Sequence, residues 1–276
     1  MTFIVILVTL LVERFFDWSH LRQWGWYGAY ERAVIQKLSS SSPYLVLAGA
    51  ILPLVVALVI IDHLTRDLIY GFPFLVFQLI ALLYCYGPQN LWADSFASIN
   101  TLTKDASPAG TEKLKATFNV SAGSDTESMQ RQLISQIFIA ANQRVFAVVF
   151  WFGVLGLPGA LLYRLVSVSS TVSTHPDINA SARQIELIMD WIPARLITFV
   201  FALGGNFTRV LQVWRQRAAQ GAESNDVLLS ECGMAAITTE SEKIPQDGSL
   251  ERSAISLLDR VFIIVLVAVM VLVFLF

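Results

Sequence analysis

Apolar runs long enough to cross a lipid bilayer constrain this chain more than any other feature. An α-helix rises about 1.5 Å per residue, so about 20 apolar residues cross the hydrocarbon. Residues 44–61 and 68–86 are nearly continuous runs of this kind. Residues 145–166 form another, interrupted by Gly156, Pro158 and Gly159, and residues 261–276 carry no polar side chain. Residues 1–12 are a shorter apolar run that leads straight into Glu13, Arg14 and Phe15. No basic residue precedes it and no small-residue cleavage site follows, so it reads as a retained first span. A sixth run, 187–204, contains Asp190 and Arg195. Backbone polar groups must be satisfied internally in hydrocarbon, and runs of this length do so as helices. The expected fold is all-α: a polytopic membrane helix bundle of about five to six transmembrane helices, with amphipathic cytoplasmic helices.

Composition agrees. The chain is 55% hydrophobic and 14% charged, where a soluble domain is about a quarter charged. A net charge of −2 offers nothing to a nucleic acid. The three histidines are scattered and the two cysteines, Cys85 and Cys232, form no metal-ligand spacing or disulfide framework. No nucleotide-binding loop, zinc-protease motif or nucleophile elbow is present. No metal, cofactor or catalytic residue is therefore assigned. The partner that composition implies is the bilayer.

The basic residues orient the spans. With six crossings and the N-terminus outside, segments 13–43, 87–144 and 205–260 are cytoplasmic and hold 4, 5 and 6 Lys/Arg. That is a strong positive-inside bias. In the five-span alternative, 187–204 is a kinked interfacial or re-entrant helix. The chain reads as a single membrane domain over 1–276, with a helical cytoplasmic segment at 87–144 and a polar cytoplasmic loop at 205–260. Trp18, Trp24, Trp26 and Tyr27, mixed with Arg22 and Arg32, suit an interfacial helix. Ser39–Ser42 reads as a turn, and 104–124 as a loop with Pro108, Gly110 and Gly123. Residues 90–103 show helical spacing. A helix capped by Ser124 or Asp125 is expected to run through Ile137 into the fourth span. The Ser- and Glu-rich stretch 218–250 is expected to be mobile.

Candidate functional residues are those that an anchoring helix does not need. An ionisable group at membrane depth costs roughly 2.5–3.5 kcal/mol on insertion scales. Asp190 and Arg195 are five apart, so each is expected to meet a partner on another helix, as a structural clamp or as part of a ligand site. Trp191 and Arg195 are four apart, the spacing of a cation–π contact. Pro193 and Pro158 each remove a backbone hydrogen bond and are expected to kink their helices. Glu13 needs a cation, with Arg144 or Arg195 as candidates. The candidate binding set is Glu13, Arg14, Asn142, Arg144, Asp190 and Arg195. The structural set is Gly156, Pro158, Gly159, Trp191 and Pro193.

Two blocks carry a resemblance. FWFGVLGLPGALLYR at 150–164 and MDWIPARL at 189–196 resemble paired motifs of the CobD/CbiB membrane enzymes, which close the aminopropanol amide of cobalamin. Those enzymes carry an acidic and amide cluster before the first block. Here its positions fall on Ser135, Ile139, Ala140 and Gln143. An N-x-L-D that follows the tyrosine–arginine pair is replaced by Ser167, Val168, Ser169 and Ser170. The resemblance thus implies the scaffold without the carboxylates that hold metal and nucleotide, leaving Glu13, Asp94 and Asp190 for any enzymatic alternative. The chain is more similar still to the AmpE family. It shares Glu13-Arg14-x-Phe16, Asn142-x-Arg144 before Phe150-Trp151, Tyr163-Arg164, and the whole of Asp190 to Leu196. That resemblance implies a multi-pass protein of the bacterial inner membrane, linked to β-lactamase induction and cell-wall signalling. Glu13, Asn142, Arg144, Asp190 and Arg195 are expected to make a cytoplasm-facing polar pocket for an anionic cell-wall-related small molecule, or for contact with another inner-membrane protein. A scaffold or assembly subunit is the third reading.

Overall fold

Helices account for every regular element among the described residues, as an apolar chain in hydrocarbon requires. The structure is a computed structural model. It describes residues 2–16, 22–38, 42–65, 72–87, 90–104, 112, 117–118, 120, 126–238 and 249–275. Trp18, Ser39 to Ser41, Pro108, Gly110, Gly123 and the Ser124/Asp125 cap lie outside them. The helices are α1 (Thr2–Phe15), α2 (Gly25–Lys37), α3 (Pro43–Thr65), α4 (Phe72–Cys85), α5 (Leu91–Lys104) and α6 (Thr126–Ala141). A π-helical turn, Asn142–Phe146, joins α6 to α7 (Ala147–Leu155). Then follow α8 (Leu157–Val172), α9 (Pro176–Gly204), α10 (Phe207–Arg217), α11 (Asn225–Ile237) and α12 (Ser249–Leu275). Among the described residues four helical runs are long and apolar enough to cross a membrane: Pro43–Leu64, Glu127–Leu155, Pro176–Gly204 and Ser249–Val271. The chain is a membrane protein with an all-α bundle.

The chain divides into two compact units. The first comprises Met1–Gln89 and Gln143–Asp190, the second Asn90–Asn142 and Trp191–Phe276. In the first unit α8 is central, packed by α3, α4 and α7. Nearly every residue from Tyr163 to Ser170 is buried. In the second unit α6 packs against α5, α11 and α12. Gly233 lets α11 approach α6 closely, because a Cβ there would collide with the Phe138 ring.

Two expectations are corrected. Residues 145–166 are not one kinked span. The run ends at Leu155, and Gly156, at φ 69° and ψ −160°, turns the chain into a separate helix. That conformation is essentially restricted to glycine. Pro158 stands in the first turn of α8, where its missing N–H costs no helical bond. Gly159 allows α8 to fold back on α7, since a Cβ there would lie 2.6 Å from Trp151 O. The second correction concerns 205–260. It contains α10 and α11 rather than a loop. Leu228, Leu229, Cys232 and Ala236 recur at helical spacing and are buried, which the polar average of the segment conceals. Burial also pushes the Cys232 thiol up to about 12, so it is a poor nucleophile.

Aromatic residues tie α2 down within the first unit. Trp26 Nε1 donates to Tyr84 Oη at 2.8 Å and the Trp24 and Tyr84 ring centroids are 4.6 Å apart. Tyr27 Oη lies 2.8 Å from Ser169 Oγ. One turn on, Glu31 is buried and its Oε1 has no hydrogen-bond partner. Burial raises its carboxyl above the ordinary 4.5, with Ser173, Ser169 and His175 acting in the opposite direction.

Gly156→Ala is expected to lower stability by about 1–3 kcal/mol, the cost of a side chain in that backbone region, seen as a lower Tm of the detergent-solubilised protein. A wild-type Tm would show that the turn tolerates a Cβ. Glu31 favours the folded state when protonated. Its contribution is therefore greatest below pH 4.5 and is lost as pH rises from 4.5 through the raised folded value. Glu31→Gln is expected to raise Tm at neutral pH and to flatten the pH–Tm profile above pH 4.5. An unchanged profile would refute this role.

Candidate functional site

The two blocks singled out from sequence meet through backbone chemistry. Pro193 lacks an N–H, so the carbonyl of Met189, four residues earlier, loses its helical donor. Trp151 of the first block supplies one: its Nε1 donates to Met189 O at 3.3 Å. Pro193 therefore does not break its helix, and α9 runs unbroken from Pro176 to Gly204. Asp190, one residue on from Met189, accepts from Tyr163 Oη at 2.9 Å. The tyrosine of GLPGALLYR and the aspartate of MDWIPARL thus bridge α8 and α9 within the first unit.

Arg164 is the residue that sequence reasoning missed. Set within an apolar run, it is nevertheless only 3% exposed. Its Nε donates to Cys85 O, the last carbonyl of α4. Its Nη2 donates to Gln143 O and Arg144 O at 3.2 and 3.3 Å. Those two carbonyls belong to the π-helical turn, where the normal four-residue ladder is interrupted. Gly87 N also donates to Arg144 O, at 3.1 Å. The Asn142-x-Arg144 motif thus marks a backbone irregularity held by Arg164, a role the sequence signals only by an arginine within an apolar run.

Arg195 is equally engaged, in the second unit. Its Nε donates to Ala218 O at 2.7 Å, Nη1 to Trp191 O and Asn225 Oδ1 at 2.8 Å each, and Nη2 to Gln220 O at 2.6 Å. All but one of its N–H donors are used. Its Cζ lies 4.1 Å from the centroid of a Trp191 ring, the contact that the four-residue spacing makes available. Trp191 Nε1 donates to Gln220 O at 3.2 Å and Trp214 Nε1 to Arg195 O at 3.2 Å. The WIPAR arginine fastens the segment between α10 and α11 onto α9.

The remaining candidates are distributed. Glu13, 1% exposed, pairs with Arg22, which also donates to Gly87 O at 3.1 Å. Arg22 was not foreseen as its partner. Arg14, half-buried, lies with its Cζ 5.8 Å from the Phe15 ring centroid. Arg144 is half-buried and its aliphatic stem packs on Gly87, where a Cβ would come within 2.6 Å. Asn142 is buried in the π-helical turn. Glu13, Arg14, Arg144 and Asp190 fall in the first unit, Asn142 and Arg195 in the second. Among the described residues no three His, Cys, Asp or Glu side chains are placed to hold a metal ion.

The serines at the positions where the resemblance places N-x-L-D are bonded to the chain's own groups. Ser169 meets Tyr27, and Ser170 Oγ donates to Glu186 Oε2 at 2.8 Å. Glu186 also accepts from Arg183 at 3.0 Å. Ser135 accepts from Ser230 at 2.6 Å in the second unit.

The sequence profile of the regulatory signalling modulator protein AmpE matches residues 1–275. The cobalamin biosynthesis protein CobD of Stutzerimonas stutzeri is 31% identical over 99 residues, 34% of this chain and 33% of CobD. That of Chromobacterium violaceum is 29% identical over 99 residues, 34% of this chain and 32% of its own length. The chain thus spans about a third of the length of these relatives. No solved structure matches the chain.

The indole of Trp151 and the ring of Pro193 are expected to be energetically coupled. Trp151→Phe orphans the partly buried Met189 carbonyl and should cost about 1 kcal/mol, the low end of the penalty for an acceptor left without a donor. In a Pro193→Ala background the helical N–H returns and the cost should largely vanish. A double-mutant cycle in Tm measures this, and additive effects would exclude the coupling.

Proposed function

Because the chain belongs to the AmpE family, we propose that it is a regulatory protein of the bacterial inner membrane acting in β-lactamase induction and cell-wall stress sensing. It uses the CobD-like scaffold as a frame rather than as a reaction centre. The observation that carries this reading is the state of the shared blocks. Arg164, Arg195 and Trp151 donate to backbone carbonyls, and Tyr163 to Asp190. A group so engaged holds helices together. Contact with an anionic ligand falls to the half-exposed basic members of the candidate set, Arg14 and Arg144. A guanidinium recognises phosphate or carboxylate through paired N–H donors.

The enzymatic alternative, a divergent ligase or transferase, draws support from the 99-residue similarity to CobD. It would need Glu13, Asp94 or Asp190 to replace the missing carboxylates.

Deleting the gene is expected to change the ratio of induced to basal β-lactamase in the host. Arg144→Ala should reproduce the deletion while the protein still accumulates in the membrane at the wild-type level. Arg195→Ala should instead lower that accumulation, because three carbonyls and Asn225 lose their donor. An unchanged induction ratio on deletion would reject the regulatory reading. Magnesium-dependent nucleotide turnover by the purified protein, lost in Asp190→Asn, would replace it with the enzymatic one.

A further inference from the structure

An exposed apolar row and an exposed polar row run side by side in the second unit. Within it α9 continues over 191–204, and α10 folds back along it. The register is antiparallel. Ala218 O and Gln220 O accept from Arg195, Gln220 O also accepts from Trp191, and Trp214 reaches both Arg195 O and the Phe199 ring. This register sets Leu196 level with Arg215, Phe199 with Gln212 and Leu203 with Thr208. Ile192, Leu196, Phe199 and Leu203 share one face of α9, and all four are exposed. Thr208, Gln212 and Arg215 share one exposed face of α10. At about 100° per residue, each row lies about a quarter-turn from the contact between the two helices, on the same side of the hairpin. α11 covers the other side of α10, where Arg217 pairs with Glu231 and Arg209 donates to Thr238 O.

The two rows decide how the hairpin meets a bilayer. A helix that crosses keeps its polar residues near its ends, where the headgroups are. Here the polar row accompanies the apolar row along its length. α10 carries three arginines and no acidic residue. Arg209 and Arg217 have the partners just given, whereas Arg215 has none among the described residues. A guanidinium without a partner is costly in hydrocarbon and favourable beside a phosphate. The geometry points to a hairpin that lies along the bilayer surface, with the α9 row in the acyl region and Arg215 on the phosphates of anionic phospholipid, so that residues 191–204 do not cross. Amphipathic helices with an apolar face and a basic border take this position. Trp191 and Trp214 suit the headgroup depth. A second copy of the same face would bring no acidic residue to Arg215. A phospholipid meets both rows at once, its chains on one and its phosphate on the other.

The test places nitroxides on the full-length protein in bilayer nanodiscs, at Phe199→Cys, Leu203→Cys, Thr208→Cys and Gln212→Cys. Cys85 and Cys232 are buried, and the unmutated chain gives their background. Accessibility to oxygen against a water-soluble nickel chelate reads the depth of each label. A hairpin along the surface puts 208 and 212 about 5–10 Å shallower than 203 and 199, a difference set by the spacing of two packed helices. A crossing hairpin gives equal depths within each level pair, 199 with 212 and 203 with 208. In a second arm, replacing phosphatidylcholine with phosphatidylglycerol is expected to raise the Tm. Arg215→Gln should lose about half of that rise and Arg215→Lys should keep it, because the phosphate contact needs the charge. Three outcomes would overturn the placement: equal depths within the pairs, α9 labels shielded from both reagents as a protein partner would shield them, or a rise in Tm that is absent or undiminished in Arg215→Gln. Should one labelled variant not fold, the remaining pair decides. β-Lactamase induction plays no part in either measurement, so this placement and the regulatory reading stand or fall separately.

Discussion

The backbone carbonyl left without a helical donor is the constraint on which this structure depends. A helix leaves its last carbonyls unsatisfied, and a proline or a π-turn creates further orphans within it. Water satisfies them cheaply at a surface. In a chain this apolar many lie where water is scarce, and side chains of the same unit take over. Arginines serve the last carbonyl of α4 at Cys85, that of α9 at Gly204, and the residues that cap α10 and α11 at Ala218 and Thr238. The donors are Arg164, Arg260, Arg195 and Arg209. A cation at a helix C-terminus also meets the negative end of the macrodipole, so hydrogen bonding and charge act together. The planar fork explains the use of arginine: Arg164 serves three carbonyls and Arg195 three, which a lysine point charge would not hold in fixed directions.

This pattern changes what the basic residues signify. Counted along the sequence, they define a positive-inside bias. In the structure, several of those assigned to cytoplasmic segments are parts of the frame. Arg22 is buried against Glu13 and Gly87 O, Arg209 donates to Thr238 O, and Arg217 pairs through both Nε and Nη2 with Glu231. Their positive charge and their donor geometry serve different ends, and only the first is visible in a count.

The architecture was legible where it follows from apolar periodicity alone. The all-α class, the long apolar helices α3 and α12, and the long helix running from α6 into α7 belong to that group. Boundaries set by a single residue's backbone were not legible. Gly156 separates two helices because it occupies a conformation closed to other residues, while Pro193 leaves α9 intact because Trp151 satisfies the orphaned carbonyl. Sequence shows a break signal in both places and cannot show which one finds a donor. Arg164 and Arg22 were overlooked for the same reason: their acceptors are mainly backbone oxygens, which carry no sequence identity. α11 was hidden by the polar residues around it, although its buried Leu228, Leu229 and Cys232 follow a helical stripe.

The serines of α8 are likewise satisfied from within their own unit. A catalytic carboxylate must keep lone pairs directed at metal or substrate, which requires neighbours that do not donate to it. Here Ser169 and Ser170 occupy positions where the resemblance places the N-x-L-D of the enzymes, and each is bonded within the first unit. The carboxylates that approach them, Glu31 and Glu186, come from α2 and α9 instead. A hydroxyl both donates and accepts, so it can close a network with donors and acceptors alike. Ser169 and Ser170 thus have their hydrogen bonds within the first unit. The GLPG turn, the Trp151–Met189 bond and the Arg195 clamp answer to backbone geometry, and so the two blocks hold their helices independently of those serines.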